Sequence, residues 1–335
     1  MKEKKVTYEQ LAKASGISLS TISRVVNKSP NVTDATRKKV IKAMQEAGLD
    51  TDSMDLEPQS GSNLLVFDVP SLKNIFYSPI MTSAKLTASN YGYSMLINEE
   101  MINDATIDSF LQLLRNSHAA GVISASPLTQ EHQARISAIC PLVICCEGGG
   151  AEEDLVPFVS IDDEGAAYNA VRHLISLGRK RVAMINGPAP FKYAHGRYVG
   201  YCRALEEAGL ELDKNLQASV NADMDYDMAK AAALGMLNSP GRPDGFFCIS
   251  DVLASAVVRA TQELGLRVPQ EVSVVGFDDV LLSSAMNPTI TTVRQPCNQM
   301  GALATEMLIK LLRGEERVNS IFLGTELVLR ESTAC

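Results

Sequence analysis

Over the first 49 residues, apolar side chains recur every three or four positions, as on one face of a short helix. Thr7, Ser18 and Thr33 are residue types that cap helix N-termini, and each precedes such a stretch. Gly16 interrupts the first stretch, and the turn-forming run at 27–31 closes the second. The pattern therefore predicts three short helices.

From residue 63 onward, apolar runs of four to six residues alternate with amphipathic stretches. The predicted strands are 64–69, 94–98, 121–124, 142–146, 158–161, 181–185, 245–249 and 272–277. The predicted helices include 164–176, 195–208, 226–237, 253–264 and 297–312. Near-continuous apolar strands separated by helices are typical of parallel sheets covered on both faces. Since one sheet would not hold all the strands, we predict an α/β fold with two doubly wound parallel-sheet subdomains after a small all-α head.

The chain divides on this pattern into three parts. Residues 1–49 form the head, 50–62 a linker with four acids and no base, and 63–335 the larger domain. Within the larger domain we expect an N-subdomain of about 63–161 plus 292–322, and a C-subdomain of about 162–291 plus 323–335. Ligands of such folds bind at the carboxyl ends of the strands, so we expect a binding cleft between the subdomains.

Charge is distributed unevenly along the chain. The 335 residues carry a net charge of −8, but residues 1–49 hold ten Lys and Arg against four Asp and Glu, while the remainder carries −14. A basic head on an acidic body indicates a polyanionic partner for the head, either as a DNA-binding arm or, alternatively, as a solvated tail.

Composition narrows the class of protein further. The 46% of hydrophobic residues excludes wholesale disorder, and seven cysteines without a C-x-x-C pair indicate neither a disulfide scaffold nor a metal site. No apolar run approaches the roughly 20 residues that span a bilayer, and the N-terminus lacks a signal peptide. We therefore expect a cytoplasmic protein that contacts no membrane and holds no cofactor.

The head carries the pattern of a helix-turn-helix, because its second helix follows a glycine turn and is rich in small polar residues. Arg24 can bind guanine through two hydrogen bonds, and Ser20 and Thr21 can reach phosphates or base edges. A plain helical hairpin with a basic face is the alternative.

Residues 6–48 resemble the DNA-binding head of the LacI/GalR family, above all in the segment SLSTISRVVN at 18–27 and in Val32-Thr33. The resemblance implies that Leu19, Ser20 and Arg24 read the bases of a pseudo-palindromic DNA operator. The candidate DNA-binding residues are Thr7, Ser18, Leu19, Ser20, Thr21, Ser23, Arg24, Asn27, Thr33 and Thr36.

The linker departs from that family's pattern, G-Y-x-P-N-x-x-A-R-x-L, which forms a hinge helix in the minor groove. Asp55, Leu56 and Pro58 stand where the family has alanine, arginine and the intercalating leucine. Acids are repelled by the negative minor groove, and proline removes a helix donor. We expect the heads to bind DNA without kinking its centre; a diverged hinge that binds normally is the alternative.

Four clusters of polar or aromatic residues follow predicted strands in the larger domain. Three of them resemble family segments: the N-P-F-F segment at 74–77, the G-P…R-x-x-G-[FWY] segment at 187–201, and the acidic strand end at 274–279. The candidate effector-binding residues are Asn74, Phe76, Tyr77, Glu147, Arg197, Ser250, Asp251 and Asp278.

Each candidate also has a simpler interpretation. Phe76 or Tyr77 could begin a buried helix face, Glu147 could be a solvated loop acid, and Arg197 could lie on the surface. Asp251 could be only the N-cap of the next helix.

The combined prediction is a ligand-responsive transcriptional regulator, a repressor that acts as a homodimer and senses a small polyhydroxylated effector, a sugar. A nucleoside or purine effector, or a sugar-binding protein with weak DNA binding, is the alternative. The chain has no H-E-x-x-H motif, nucleophile elbow or phosphate-binding loop, so we do not expect an enzyme. A transporter's solute-binding protein is disfavoured by the missing signal peptide and the basic head.

Overall fold

The computed structural model describes residues 12, 15–18, 21, 22, 25, 34–46, 63–149, 155–315 and 317–334. The chain divides into two compact units, and the boundary between them in sequence lies between Asn63 and Leu64. The predicted linker at 50–62 lies outside the described residues. So do seven candidate DNA-binding residues: Thr7, Leu19, Ser20, Ser23, Arg24, Asn27 and Thr33.

The smaller unit has its own apolar cluster, in which Ile22, Val25, Val40 and Met44 are buried together. Val40 and Met44 lie on helix α1 (Asp34–Glu46), which matches the predicted third helix. Gly16 adopts φ +69°, a left-handed conformation that glycine takes without steric cost, as the predicted turn requires.

The larger unit alternates strands and helices. Its strands are β1 (Leu64–Val69), β2 (Ser94–Glu99), β3 (Gly121–Ser124), β4 (Leu142–Cys145), β5 (Phe158–Ile161), β6 (Val182–Asn186), β7 (Gln217–Ser219), β8 (Gly245–Cys248), β9 (Ser273–Asp278), β10 (Thr291–Arg294), β11 (Ile321–Leu323) and β12 (Glu326–Val328). Its helices are α2 (Tyr77–Asn90), α3 (Ile107–Asn116), α4 (Gln130–Ser137), α5 (Asp163–Ser176), α6 (Lys192–Glu207), α7 (Tyr226–Leu237), α8 (Asp251–Glu263), α9 (Leu281–Ala285) and α10 (Cys297–Leu312).

These strands form two six-stranded sheets in the described part of the chain, ordered β11-β5-β4-β3-β1-β2 and β12-β10-β9-β8-β6-β7. All neighbours pair in parallel except β10 and β12. We call the first sheet with α2, α3, α4 and α10 the first lobe, and the second sheet with α5–α9 the second lobe. The predicted α/β class, with two doubly wound sheets, is confirmed.

The boundary between the lobes differs from the sequence-based expectation at the point where the chain passes from the second lobe back to the first. Residues 292–294 were expected in the first lobe, but Thr292 pairs with Gly276 of β9 and with Val328 of β12 in the second sheet. Three of the four residues of β10 are polar, so its apolar content did not predict a strand. The chain therefore returns to the first lobe only after Arg294.

Alternation along β1 shows why the first sheet is covered on both faces. Leu65 and Phe67 are buried in the larger apolar cluster with residues of α2 and α10, whereas Val66 is buried with residues of α3 and α4. No helix in the described part of the chain is long and apolar enough to cross a membrane.

Strand β1 also buries a carboxyl group. One oxygen of Asp68 accepts a hydrogen bond from Asn98 Nδ2 at 2.7 Å, and the other accepts from Ser124 Oγ at 3.0 Å and Ser126 Oγ at 2.6 Å. Burial is the main cause that raises the pKa of Asp68 from 3.8 to about 6, against the lowering by these donors.

This burial predicts a pH-dependent effect of Asp68→Asn on stability. Because the folded state holds the Asp68 proton more tightly than the unfolded chain, the stability contributed by this group is full below the ordinary pKa and is lost as pH rises through about 6. The variant lacks that loss. As the pH rises from about 5 to about 7.5, the difference in free energy of unfolding between the variant and the parent should therefore shift in favour of the variant by roughly 1 to 2 kcal/mol. Urea unfolding at both pH values measures this difference.

Val66→Ala is a matched control for that experiment, since Val66 is fully buried on the same strand and carries no proton. Its cost should be the same at both pH values. If the Asp68→Asn difference were equally independent of pH, the buried carboxyl group would not be the titrating group.

Candidate effector-binding site

A cavity that is partly open to solvent lies between the two lobes of the larger unit. The first lobe lines it with Asn74, Phe76, Tyr77, Cys146, Glu147 and Ile161. The second lobe lines it with Asp163, Tyr193, Arg197, Met224, Ile249 and Asp278, and Gln295 follows β10. Most of these residues follow the carboxyl ends of parallel strands, where ligands of doubly wound folds bind.

Arg197 lies at the centre of the cavity's second-lobe wall and is buried. Its Nε donates to Asp163 Oδ1 at 2.9 Å, its Nη1 donates to the Ile249 carbonyl at 2.7 Å, and its Cζ lies 3.6 Å from the centroid of the Phe277 ring. This network holds the guanidinium in one orientation, so the alternative of a surface arginine is wrong.

Close packing of α5 against α6 brings Asp163 and Arg197 together. A Cβ on Gly200 would lie 2.2 Å from the Glu164 carbonyl oxygen, closer than any side chain allows. Glycine at this position on α6 therefore lets the two helices approach until Asp163, the first residue of α5, meets Arg197.

Asp278 ends β9 in a conformation that is unusual for its residue type. Its φ is +105°, in the region that favours glycine, and such strained residues often serve functional sites. Its Oδ1 accepts from Gln295 Nε2 at 2.7 Å and lies 3.9 Å from Arg197 Nη1. Burial raises the pKa of Asp278 to about 7, despite the lowering by Arg197.

Glu147 follows β4 and faces the same cavity from the first lobe. Its Oε2 accepts from the Lys192 backbone N–H at 2.7 Å, whereas its Oε1 is buried without a hydrogen-bond partner among the described residues. Burial raises the pKa of Glu147 to about 8. The alternative of a solvated loop acid is therefore wrong.

Aromatic rings supply the apolar part of the cavity wall. The rings of Phe76 and Tyr77 contact each other edge to face, with their centroids 5.3 Å apart. Tyr193 belongs to the second lobe, and the centroid of its ring lies 5.2 Å from Arg197 Cζ. All three rings are buried and line the cavity, and Tyr77 also begins the buried face of α2, so the role of Phe76 and Tyr77 in binding stays a prediction. Such rings can pack against the apolar face of a sugar or a base.

Lys192 connects the two lobes across the cavity's edge. It begins α6 of the second lobe, and its Nζ donates to Ser160 Oγ at 2.8 Å and to the Ile161 carbonyl at 2.9 Å, both on β5 of the first lobe. The same Nζ pairs with Asp163 Oδ2 at 2.9 Å. A second link joins Ser71 and Lys73 of the first lobe to Asp223 of the second, at 2.7 and 2.9 Å.

These contacts predict that Lys192→Met weakens the closed arrangement of the lobes. The variant loses three side-chain hydrogen bonds of a charged group, each worth roughly 1.5 to 3 kcal/mol. We expect a lower melting temperature and a larger radius of gyration in small-angle X-ray scattering. Lys180→Met, at an exposed position of the second lobe, is the control and should change neither. Unchanged scattering and stability for Lys192→Met would show that Lys192 does not hold the lobes together.

Six of the eight candidate effector residues line the cavity: Asn74, Phe76, Tyr77, Glu147, Arg197 and Asp278. Ser250 and Asp251 are not among the lining residues. Ser250 caps α8 by accepting from the Leu253 N–H at 3.3 Å, and Asp251 accepts from the Val280 N–H at 2.8 Å. Each side chain supports the loop structure around β8 and β9 through the hydrogen bond given, and the role of both residues in binding stays a prediction.

Sequence reasoning missed Asp163, Lys192, Tyr193 and Gln295. Asp163 directly follows β5, so the rule that ligands bind at strand ends could have found it. Lys192 and Tyr193 precede the predicted start of helix 195–208, because α6 begins one turn earlier than its apolar pattern indicated. Gln295 follows β10, the strand that the sequence did not reveal.

Comparison with known proteins relates both units to one family. The model of "Bacterial regulatory proteins, lacI family" matches residues 7–51, and that of a "Periplasmic binding protein-like domain" matches residues 171–333. The HTH-type transcriptional regulator DegA of Bacillus subtilis (strain 168) is 30% identical over 98% of both chains. The chain belongs to the LacI family. It is a DNA-binding transcriptional regulator with the helix-turn-helix head and the periplasmic-binding-protein-like domain of that family.

Solved structures of transcriptional regulators share the fold over nearly the whole chain. A complex of the transcriptional regulator CelR with cellobiose is 28% identical, with a TM-score of 0.73 over 98% of this chain and 100% of that one. The Lac repressor dimer bound to operator and the anti-inducer ONPF is 26% identical, with a TM-score of 0.74 over 99% and 100%.

Three candidate DNA-binding residues of this LacI-family head are described. Ser18 Oγ accepts from the Thr21 N–H at 3.2 Å and lies 2.7 Å from Thr21 Oγ1, the contacts of an N-cap residue. Thr36 lies half-buried on α1. Their contacts with DNA stay predictions.

Proposed function

We propose that this LacI-family regulator is a homodimeric repressor whose cleft binds a small polyhydroxylated effector, a sugar. The observation that carries the proposal is the convergence of polar groups from both lobes on one cavity: Glu147 from the first lobe, Arg197 and Asp278 from the second. Carboxylates accept hydrogen bonds from hydroxyl groups, and a guanidinium donates to ring or hydroxyl oxygens. The CelR structure supports the proposal, since it is a complex of that transcriptional regulator with cellobiose.

Control of DNA binding would follow from the position of this cavity between the lobes. A ligand that touches both walls binds more tightly when the lobes are closed around it, and so shifts the population toward that arrangement. Lys192 and Asp223 join the lobes by hydrogen bonds, so the effector would change the balance of these interlobe contacts. In the dimer, such a change would alter how the two heads meet a pseudo-palindromic operator.

A thermal-shift screen of the purified chain against neutral sugars, amino sugars and nucleosides tests the effector class. Each ligand that raises the melting temperature is then added to a gel-shift assay on DNA from the protein's own promoter. We expect sugars to stabilise the protein and to change the DNA affinity. Stabilisation by nucleosides alone would contradict the sugar assignment, and stabilisation without any change in DNA binding would contradict the control of the heads by the cleft.

A further inference from the structure

We propose that the effector carries a protonated amino group that binds Glu147, so that the cleft selects an amino sugar over the corresponding neutral sugar. This inference rests on the proposed function and concerns the same cavity. It follows from the way in which the charged side chains around the cavity are already paired.

Lys192 and Arg197 both pair with the same carboxylate, that of Asp163. Asp163 Oδ2 accepts from Lys192 Nζ at 2.9 Å, and Asp163 Oδ1 accepts from Arg197 Nε at 2.9 Å. The remaining Lys192 hydrogen bonds go to Ser160 and Ile161, which are neutral. Asp163 is therefore fully compensated, and Lys192 has no hydrogen left for a ligand.

Glu147 is the carboxyl group at the cavity that has no ion-pair partner among the described residues. Asp278 retains a charged neighbour, Arg197 Nη1 at 3.9 Å, and a hydrogen bond from Gln295. No Lys, Arg or His side-chain nitrogen in the described part of the chain lies within 4.0 Å of a Glu147 oxygen, and Oε1 accepts no hydrogen bond there. A buried carboxyl group with an unused acceptor atom thus faces the cavity.

A buried carboxylate without a partner is costly, and either a proton or a cation can remove the cost. A ligand hydroxyl could donate to Oε1 but would bring no charge, whereas an ammonium group brings both a donor and the missing positive charge. Three aromatic rings, those of Phe76, Tyr77 and Tyr193, line the same cavity, and aromatic faces attract cations. The wall around Glu147 therefore suits a cation better than a neutral polyol.

Proton balance supplies a second signature of the ammonium group. Burial raises the pKa of Glu147 to about 8; the Lys192 N–H and the charges of Lys192 and Arg197 act in the lowering direction, and that of Asp163 in the raising direction. Tyr77, Tyr193 and Cys146 also lie near Glu147, and Asp278 lines the same cavity. A carboxyl group with a pKa raised to that range holds its proton near neutral pH. Binding of a ligand ammonium would release that proton to solvent, and binding of a neutral sugar would release none.

Isothermal titration calorimetry of the full-length protein with matched sugar pairs tests the inference. The probes are D-glucose with D-glucosamine, D-galactose with D-galactosamine, and cellobiose with its diamino counterpart, at a pH where the amine is protonated. We expect at least one amino member to bind at least about tenfold more tightly than its neutral partner. Titration in two buffers of different ionisation enthalpy should show the release of close to one proton.

Variants assign the preference to Glu147. Glu147→Gln keeps the shape of the protonated side chain, and we expect it to lose both the amine preference and the proton release. Glu164→Gln is the control, because Glu164 pairs with Arg203 outside the cavity. Equal binding of both members of every pair, or an amine preference that persists in Glu147→Gln, would overturn the inference and leave the proposed function intact. If no sugar of either kind binds, the proposed function fails as well.

Discussion

Arg197→Ala should abolish effector binding and destabilise the larger unit. The variant loses the hydrogen bonds to Asp163 and to the Ile249 carbonyl, and it leaves the buried carboxyl groups of Asp163 and Asp278 with less positive charge nearby. Breaking a buried ion pair by removing one partner costs about 3 to 5 kcal/mol of folding free energy. A ligand oxygen would also lose a charge-assisted donor, so we expect effector affinity to fall on the order of 100-fold. Chemical denaturation and calorimetric titration with the effector from the screen measure the two effects.

Arg203→Ala is the matched control, since Arg203 lies on the same helix α6, pairs with Glu164 and is 42% exposed. A surface pair contributes roughly 0 to 1 kcal/mol, so stability and effector affinity should change little. Near-normal affinity in both Arg197→Ala and Asp278→Asn would refute the cleft as the effector site. A stability loss without an affinity loss would confine Arg197 to a structural role.

Arg24→Ala should abolish specific operator binding while leaving the fold and the effector response intact. This prediction rests on the sequence pattern, because Arg24 lies outside the described residues. A good bidentate contact with a base is worth about 1 to 3 kcal/mol, and a dimer on a pseudo-palindrome uses it twice, which gives roughly 30-fold to 10⁴-fold in affinity. Gel-shift titrations at fixed salt with operator and unrelated DNA would show the loss on operator only.

Arg115→Ala is the control for that measurement. Arg115 lies on α3 of the larger unit, and its substitution removes the same charge from the chain. Its operator affinity should stay close to that of the parent. If Arg24→Ala bound operator as tightly as the parent at the same salt, the recognition-helix assignment would be wrong. Arg197→Ala should retain operator binding in this assay, because the two sites are in different units.

The elements that the sequence predicted well are those whose own residues supply the driving force. Helices α7 and α10 match the predicted 226–237 and 297–312, because each carries a long apolar stripe that must be buried. Strands β1 and β3 likewise match, since four or more consecutive apolar or small residues favour a buried strand. Strands β7, β10, β11 and β12 have three or four residues each and were missed. Their pairing depends on neighbours distant in the chain.

The sequence by itself determined the family-like head, the doubly wound class and six residues of the cavity, because each rests on local pattern or on the rule that ligands meet strand ends. Only the tertiary structure decided how the charges are shared. Asp163 and Arg197 are 34 residues apart in sequence and meet because Gly200 lets α5 and α6 touch, and Lys192 reaches across to the other lobe. That long-range pairing leaves Glu147 without a cation. A pattern of residue types does not reveal which buried charge lacks a partner, since compensation depends on distances between side chains that the fold alone brings together.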